Sequence, residues 1–143
     1  MEDRYLYKAK TTPKEKGEFN NVWVTGNLIV SNGKYYIHPV GNVVNVKNEI
    51  GRIIVMHEVI PDTICQCTGL KDKNGNLIWE NDIVKDKHGN LYKAFWQNNY
   101  YQFSWICVKT DVFSIGAKWD LWSFESFKIE VIGNIFDNPE LLK

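Results

Sequence analysis

The chain reads as all-β, and three observations predict it. Short runs rich in Val, Ile, Tyr, Phe and Trp recur along its 143 residues, and these residue types suit the pleated, half-buried surface of a strand. Corners containing Gly and Asn punctuate the runs every few residues, which is tight-turn chemistry. No long apolar stripe at helical spacing appears. From about Cys67 onward, hairpins and a final strand suit a small barrel. No internal repeat and no low-complexity tract is evident.

The elements follow in order. Arg4 to Ala9 alternates, with Tyr5 and Tyr7 on one side of a strand. Lys10 to Phe19 is charged, carries Pro13 and Gly17, and reads as a loop. Asn21 to Val30 is β-like, and Ser31-Asn32-Gly33-Lys34 turns it into Tyr35–His38. Pro39 to Val46 alternates small, polar and Val residues, and Glu49 to Arg52 forms a Gly corner. Ile53 to Val59 is a β-branched run ended by Pro61. The boundary between two β subdomains is placed at Pro61-Asp62-Thr63, giving residues 1–62 and 63–143.

In the second part, Lys73-Asn74-Gly75-Asn76 carries the signal of a primed hairpin turn, because Asn and Gly tolerate positive φ. Leu77 to Trp79 and Ile83 to Lys85 flank the polar corner Glu80-Asn81-Asp82. A second turn, Lys87-His88-Gly89-Asn90, leads into the aromatic strands Leu91–Trp96 and Tyr101–Val108. Lys118 to Phe124 reads as a short helix or an irregular aromatic loop. Phe127 to Ile135 is a strand interrupted by Gly133. Asn138-Pro139-Glu140 has the order of a helix start, with Asn as cap and Pro in first position.

Two of these stretches carry a family resemblance. TGLKDKNGNLIWENDIV (Thr68 to Val84) closely resembles the signature of the YopX family of phage and prophage proteins, and IEVIGNIFDNPELL (Ile129 to Leu142) resembles that family's ending. Two departures occur: Asn81 stands where Gly is usual, which preserves a left-handed corner, and Trp79 stands where Tyr is common. The resemblance implies an irregular β subdomain followed by an SH3-like barrel, and a phage- or prophage-type accessory protein. It implies no particular activity.

Composition bounds the function. A chain this long buries roughly two thirds of its unfolded surface, enough for a core without metal or disulfide support. Seventeen basic residues cancel seventeen acidic ones, which argues against duplex DNA or an anionic membrane as the partner. No segment is apolar for long enough to span a bilayer, and MEDRYLYKAK has no apolar core of a signal peptide. Three Cys without an export signal fit a reducing compartment, so the cytoplasm of a bacterial host is expected.

Candidate chemistry is sparse. Cys65-Gln66-Cys67 puts two thiols on one strand face, and His57 or Cys107 could complete a zinc site. Structural zinc ligands are normally separated by two to four residues, so two small core side chains are the favoured reading. His38, His57 and His88 stand in no catalytic motif. No enzyme activity, catalytic residue, metal or cofactor is therefore expected. Lys71, Asp72, Lys73, Glu80 and Asp82 form the charged set of the signature, and Asp82 beside Lys71 could hold a ligand. The stronger reading gives Asp72 to backbone donors of its turn and makes Asp82 the cap of the corner before Ile83. Lys71, Asp72, Trp79, Asp82 and Trp96 are taken as the candidate ligand or signature surface.

Fourteen per cent of the residues are aromatic, six of them Trp. Trp79, Tyr92, Phe95, Trp96, Tyr100, Tyr101, Phe103 and Trp105, interleaved with Lys85, Lys87 and Lys93, could stack single-stranded nucleic acid. Asp82, Asp86 and the neutral total charge disfavour that, and core or subunit interface accounts better for these side chains. Ile53-Ile54-Val55-Met56 and Tyr101-Gln102-Phe103-Ser104-Trp105 lack the Lys and Pro that protect exposed edges. The expected function is a non-enzymatic, homo-oligomeric binding or assembly module. It would act on a host or phage macromolecule, and its subunits would meet through the N-terminal half. Single-stranded nucleic-acid binding is the alternative.

From the thiol analysis, unreduced protein in denaturant is expected to titrate three free thiols per chain. Elemental analysis after dialysis is expected to find no stoichiometric zinc; near one zinc per chain would refute this.

Overall fold

The computed structural model describes every residue except 1, 15–19, 40–46, 49–50, 53–55 and 113. The Pro39–Val46 alternation beyond Pro39, much of the Lys10–Phe19 loop and most of the Ile53–Met56 edge thus lie outside the described residues. Among the described residues all regular strands pair antiparallel and only short 3-10 turns represent helix. The chain forms two compact units, Arg4–Gln66 and Cys67–Lys143.

The N-terminal unit contains β1 (Tyr7–Lys10), β2 (Trp23–Ser31), β3 (Lys34–Pro39), β4 (Lys47–Asn48), β5 (Gly51–Arg52) and β6 (His57–Glu58). β1 pairs with β2 from Tyr7↔Gly26 to Lys10↔Trp23, β2 with β3, and β3 with β6 through Ile37↔His57. β4 and β5 form a separate two-stranded ladder. The β2–β3 turn has Asn32 at φ 51° and Gly33 at φ 73°, the two positive values of a type I′ hairpin whose twist matches its strands. Ala9, Ile37 and Val59 form the core, with Tyr7, Val24, Leu28, Tyr35 and Ile64 packed around it. Thr63 closes this unit: its Oγ accepts from Lys10 N at 2.9 Å and donates to Ile60 O at 2.7 Å.

β7 (Cys65–Lys71) begins beside β1, pairing Lys8↔Cys65 and Tyr7↔Gln66. It continues into the C-terminal unit, where Cys67 and Lys71 pair with Trp79 and Leu77 of β8 (Leu77–Trp79). β9 (Asp82–Lys85), β10 (Leu91–Gln97), β11 (Gln102–Lys109), β12 (Lys118–Asp120) and β13 (Glu130–Asn134) build a five-stranded sheet ordered β12-β11-β10-β9-β13. The expected barrel is not formed: among the described residues this sheet stays open, with β12 and β13 as its edges. β12 is only three residues long, and a register shift between Val131 and Gly133 interrupts the pairing of β13 with β9, which resumes at Gly133↔Ile83 and Asn134↔Asp82.

One face of this sheet carries the core of Ile78, Val84, Tyr92, Ala94, Trp105, Cys107 and Ile129. Each large side chain buried here stabilises the fold by roughly 1.5–3 kcal/mol. Lys118–Phe124 resolves into β12 and a 3-10 turn, Leu121–Ser123, whose Leu121 carbonyl accepts from the Trp105 indole at 3.3 Å. Phe124 packs against Tyr92 with ring centroids 4.7 Å apart. Pro139–Leu142 is a 3-10 turn with Pro first, as its residues predict. Its Asn138 side chain does not cap that turn; Oδ1 instead accepts from Asn134 N behind it, at 3.2 Å.

Two glycines test this packing for different reasons. A Cβ on Gly26 would meet the His38 carbonyl oxygen at 1.9 Å, so Gly26→Ala must part β2 from β3. Gly75 has open space but φ +82°, which a β-branched residue adopts only with strain. Both Gly26→Ala and Gly75→Val are expected to lower stability by about 1–3 kcal/mol in denaturant unfolding. Unchanged midpoints would refute the respective backbone geometry.

Candidate functional site

The C-terminal unit contains a short repeat that the sequence reading overlooked. Lys71-Asp72-Lys73-Asn74-Gly75-Asn76-Leu77 and Lys85-Asp86-Lys87-His88-Gly89-Asn90-Leu91 differ only at Asn74/His88, and the two segments fold alike. In the first, Gly75 N donates to Asp72 O at 3.0 Å and Asp72 N to Asn76 O at 2.8 Å. In the second, Gly89 N donates to Asp86 O at 3.2 Å and Asp86 N to Asn90 O at 3.1 Å. Only the glycine of each segment has positive φ, 82° and 85°. These are therefore three-residue loops of a type I turn followed by a left-handed glycine, rather than the primed turn expected at Asn74-Gly75.

The aspartates select that geometry. Asp72 Oδ1 accepts from Asn74 N and Asn76 N, each at 2.9 Å; Asp86 Oδ1 accepts from His88 N at 2.8 Å and Asn90 N at 3.0 Å. The second oxygens do different work. Asp72 Oδ2 accepts from Val131 N at 2.9 Å and so holds β13 to the first loop. Asp86 Oδ2 takes the Asn90 side-chain amide at 2.9 Å and the Tyr92 hydroxyl at 3.0 Å. Burial pushes the Asp72 carboxyl up, but the N–H donors of Val131, Asn76 and Asn74 outweigh it and hold the group below the usual carboxylate range. Asp86 is likewise lowered, its desolvation outweighed by Asn90, Tyr92 and His88. Burial, then the Asp86 carboxylate, raises Tyr92 and keeps its hydroxyl protonated.

The five candidate residues do not converge. Asp72 is 4% exposed and committed to its loop and β13. Asp82 is buried and its Oδ2 accepts from Trp79 N at 2.9 Å, so it closes the Glu80-Asn81 corner that leads into Ile83. Asn81 holds φ 68° there, the left-handed conformation its residue type predicts. Trp79 is buried; Lys71 is exposed, and the ion pair at this corner joins Lys73 to Glu130 at 3.0 Å. That pairing lowers Glu130. Trp96 stands apart at the far end of β10, edge-on to Phe103 at 5.1 Å. Cys65, Cys67 and Cys107 are buried and not disulfide-bonded, and burial pushes the Cys107 thiol up. No metal-ligating cluster occurs among the described residues.

The aromatic series divides between the core and the hairpin end of the sheet. Trp79, Tyr92 and Trp105 are core residues, whereas Trp96, Tyr100 and Tyr101 are 38%, 68% and 82% exposed. Tyr101 holds φ 52° at the tip of the β10–β11 hairpin, an uncommon conformation for a bulky side chain. Beside this tip lies a groove of about 560 Å³ lined by Gln97, Tyr100, Gln102, Lys118, Trp119 and Asp120. Its polar groups are ordered: Ser104, 1% exposed, donates to Gln97 Oε1 at 3.0 Å, and Gln102 Nε2 donates to Asp120 Oδ1 at 2.6 Å. The pairing Ser104↔Asp120 between β11 and β12 creates this arrangement. Alternation of Gln102 and Ser104 was readable in sequence, but their partner 16 positions beyond Ser104 was not. A second hollow of about 520 Å³ lies over Asp86, Tyr92 and Phe124, with Lys87, His88 and Lys128 among its lining residues.

Because the Asp72 and Asp86 carboxyls titrate lower in the folded than in the unfolded chain, their stabilisation is complete above the ordinary carboxylate value and is lost as pH falls through the folded one. Unfolding measured from pH 7 downward is expected to show stability declining below about pH 4. Asp72→Asn should flatten that acid limb and lower stability at pH 7 by about 1–3 kcal/mol. An acid limb identical to wild type would refute the role assigned to Asp72.

No curated protein matches this chain. Against known protein families, residues 3–143 match the family described as YopX protein, which covers both structural units and the two stretches that carry the resemblance. The protein belongs to the YopX family.

Proposed function

We propose that this YopX-family chain is a phage- or prophage-type accessory protein of the bacterial cytoplasm, acting as a non-enzymatic, self-associating binding module. The observation that carries the reading is the β10–β11 hairpin: it presents Trp96, Tyr100 and Tyr101 to solvent, with Tyr101 held at positive φ, beside an ordered polar groove. Strained, exposed aromatic positions are found where binding is done. The acidic groups of the signature support the same reading, since Asp72 and Asp82 are buried and hydrogen-bonded to backbone donors. No helix among the described residues is long and apolar enough to cross a membrane.

Self-association is assigned to the N-terminal unit. Tyr5, Val30 and Met56 are 65%, 57% and 42% exposed there, and pairing through sheet edges gives closed symmetric assemblies. Single-stranded nucleic-acid binding is the second reading. It draws on Lys93 and Lys118, both in register with Ile106, and on Lys118 Nζ 5.7 Å from the Phe95 ring centre. Three of its eight aromatic side chains are in the core, so the first reading is preferred.

Light scattering at micromolar concentration is expected to give a mass of at least twice 16.7 kDa. Val30→Lys should shift the mass toward one chain. A clean monomer for the wild-type protein would refute self-association, and a nucleic-acid-rich absorbance ratio after purification at low salt would favour the second reading.

A further inference from the structure

We propose that the groove beside the β10–β11 hairpin is a saccharide subsite, taking a neutral, hydroxyl-rich pyranose ring. This deepens the reading of the chain as a binding module and rests on it. The groove, about 560 Å³, lies within the range of small-molecule sites, about 300–1,000 Å³. Its lining combines one exposed aromatic ring, Tyr100, with two amides and one carboxylate, while the Trp119 ring packs on Tyr92 and Phe124 in the core. A pyranose has the matching duality: an apolar C–H face that packs on an aromatic ring, and equatorial hydroxyls that each donate and accept.

The hydrogen bonds already made decide what is offered to such a ligand. Ser104 uses Gln97 Oε1, which leaves the Gln97 amide nitrogen, with its two donors, for a ligand. Gln102 spends a donor on Asp120 Oδ1, with Ser104 Oγ a further 3.5 Å contact of the same nitrogen. Asp120 Oδ2 and Gln102 Oε1 are then the acceptors for ligand hydroxyls, and the bond to a carboxylate is the stronger, charge-assisted kind. Donor and acceptors sit on neighbouring strands with Gln97 and Gln102 directly paired, so little side-chain freedom is lost on binding.

Charge argues against a nucleic-acid strand in the same groove. Lys118 is its single cationic lining residue, Asp120 cancels it, and Lys118 Nζ lies over the Phe95 ring. A strand needs a track of cations along its phosphates.

The test is calorimetry and saturation-transfer NMR on the full chain, with a panel of neutral disaccharides (gluco-, galacto-, manno- and N-acetylglucosamine-based) and a single-stranded oligothymidylate. At least one disaccharide is expected to bind with Kd below about 10 mM, and Asp120→Asn, Gln97→Ala and Tyr100→Ala should each weaken it about tenfold. Asp120→Asn keeps an oxygen for Gln102, and Tyr100 is exposed; unfolding curves of each variant verify the fold, with Tyr100→Phe expected to retain binding. Glu125→Gln, outside the groove, should bind as wild type. No disaccharide bound at about 10 mM overturns the proposal, as does binding that ignores the groove variants. Oligothymidylate binding lost in Tyr100→Ala and strengthened in Asp120→Asn assigns the groove to nucleic acid instead. Light scattering on the same samples separates this from the assembly reading: saccharide binding by a monomer leaves the groove assignment standing, and an oligomer without saccharide binding removes only the groove assignment.

Discussion

The C-terminal unit depends on carboxylates that satisfy backbone N–H groups at its corners. A sheet that turns sharply leaves donors at every bend, and an unpaired buried donor costs about 1–3 kcal/mol. Asp72 serves Asn74, Asn76 and Val131, Asp82 serves Trp79, and Asp86 serves His88 and Asn90. Each acts where ladder bonds stop. Because the Asp72 and Asp86 carboxyls are held below the usual carboxylate range, their bonds are the shorter and stronger, charge-assisted kind, and they fix both loop geometries. Tyr92 and Ile129, whose positions follow from those loops, then frame the packing around Trp105.

Much of the fold was legible because turn chemistry is local. Asn32-Gly33 announces a hairpin turn and forms one, and the aromatic strands Leu91–Trp96 and Tyr101–Val108 lie close to β10 and β11. The same reasoning mistook the turn at Asn74-Gly75. Residue type alone allowed positive φ at Asn74, and the preceding aspartate, by binding Asn74 N and Asn76 N, chose another loop. Closure was beyond local signals: whether β12 meets β13 depends on sheet curvature and on a register shift at Gly133, neither of which a residue pattern encodes.

The candidate site was less legible. Period-two alternation places Tyr92, Ala94 and Trp96 on one face of β10, yet it does not say that Tyr92 is core and Trp96 is 38% exposed. The groove arises where Gln97 meets Gln102 and Ser104 meets Asp120. The first pairing is a hairpin contact, while the second follows a long excursion through residues 110–117. Polar residues brought together by register leave no motif behind them. The acidic residues of the signature, by contrast, were conspicuous in sequence because they build corners.

The Asp72–Val131 bond spans 59 positions, and it divides the making of this unit into two stages. The paired loops close between neighbours, so β7 with β8 and β9 with β10 need only short loops of chain. β13 must arrive from far downstream before Asp72 has its last donor, Lys73 has its partner Glu130, and β9 has its second neighbour. During synthesis, therefore, the hairpins precede the sheet edge, and the emerging chain holds β9 open along one side until Glu130–Asn134 has left the ribosome. A chain interrupted before that strand would keep both loops and expose an unpaired edge, the form of this protein most prone to join another chain.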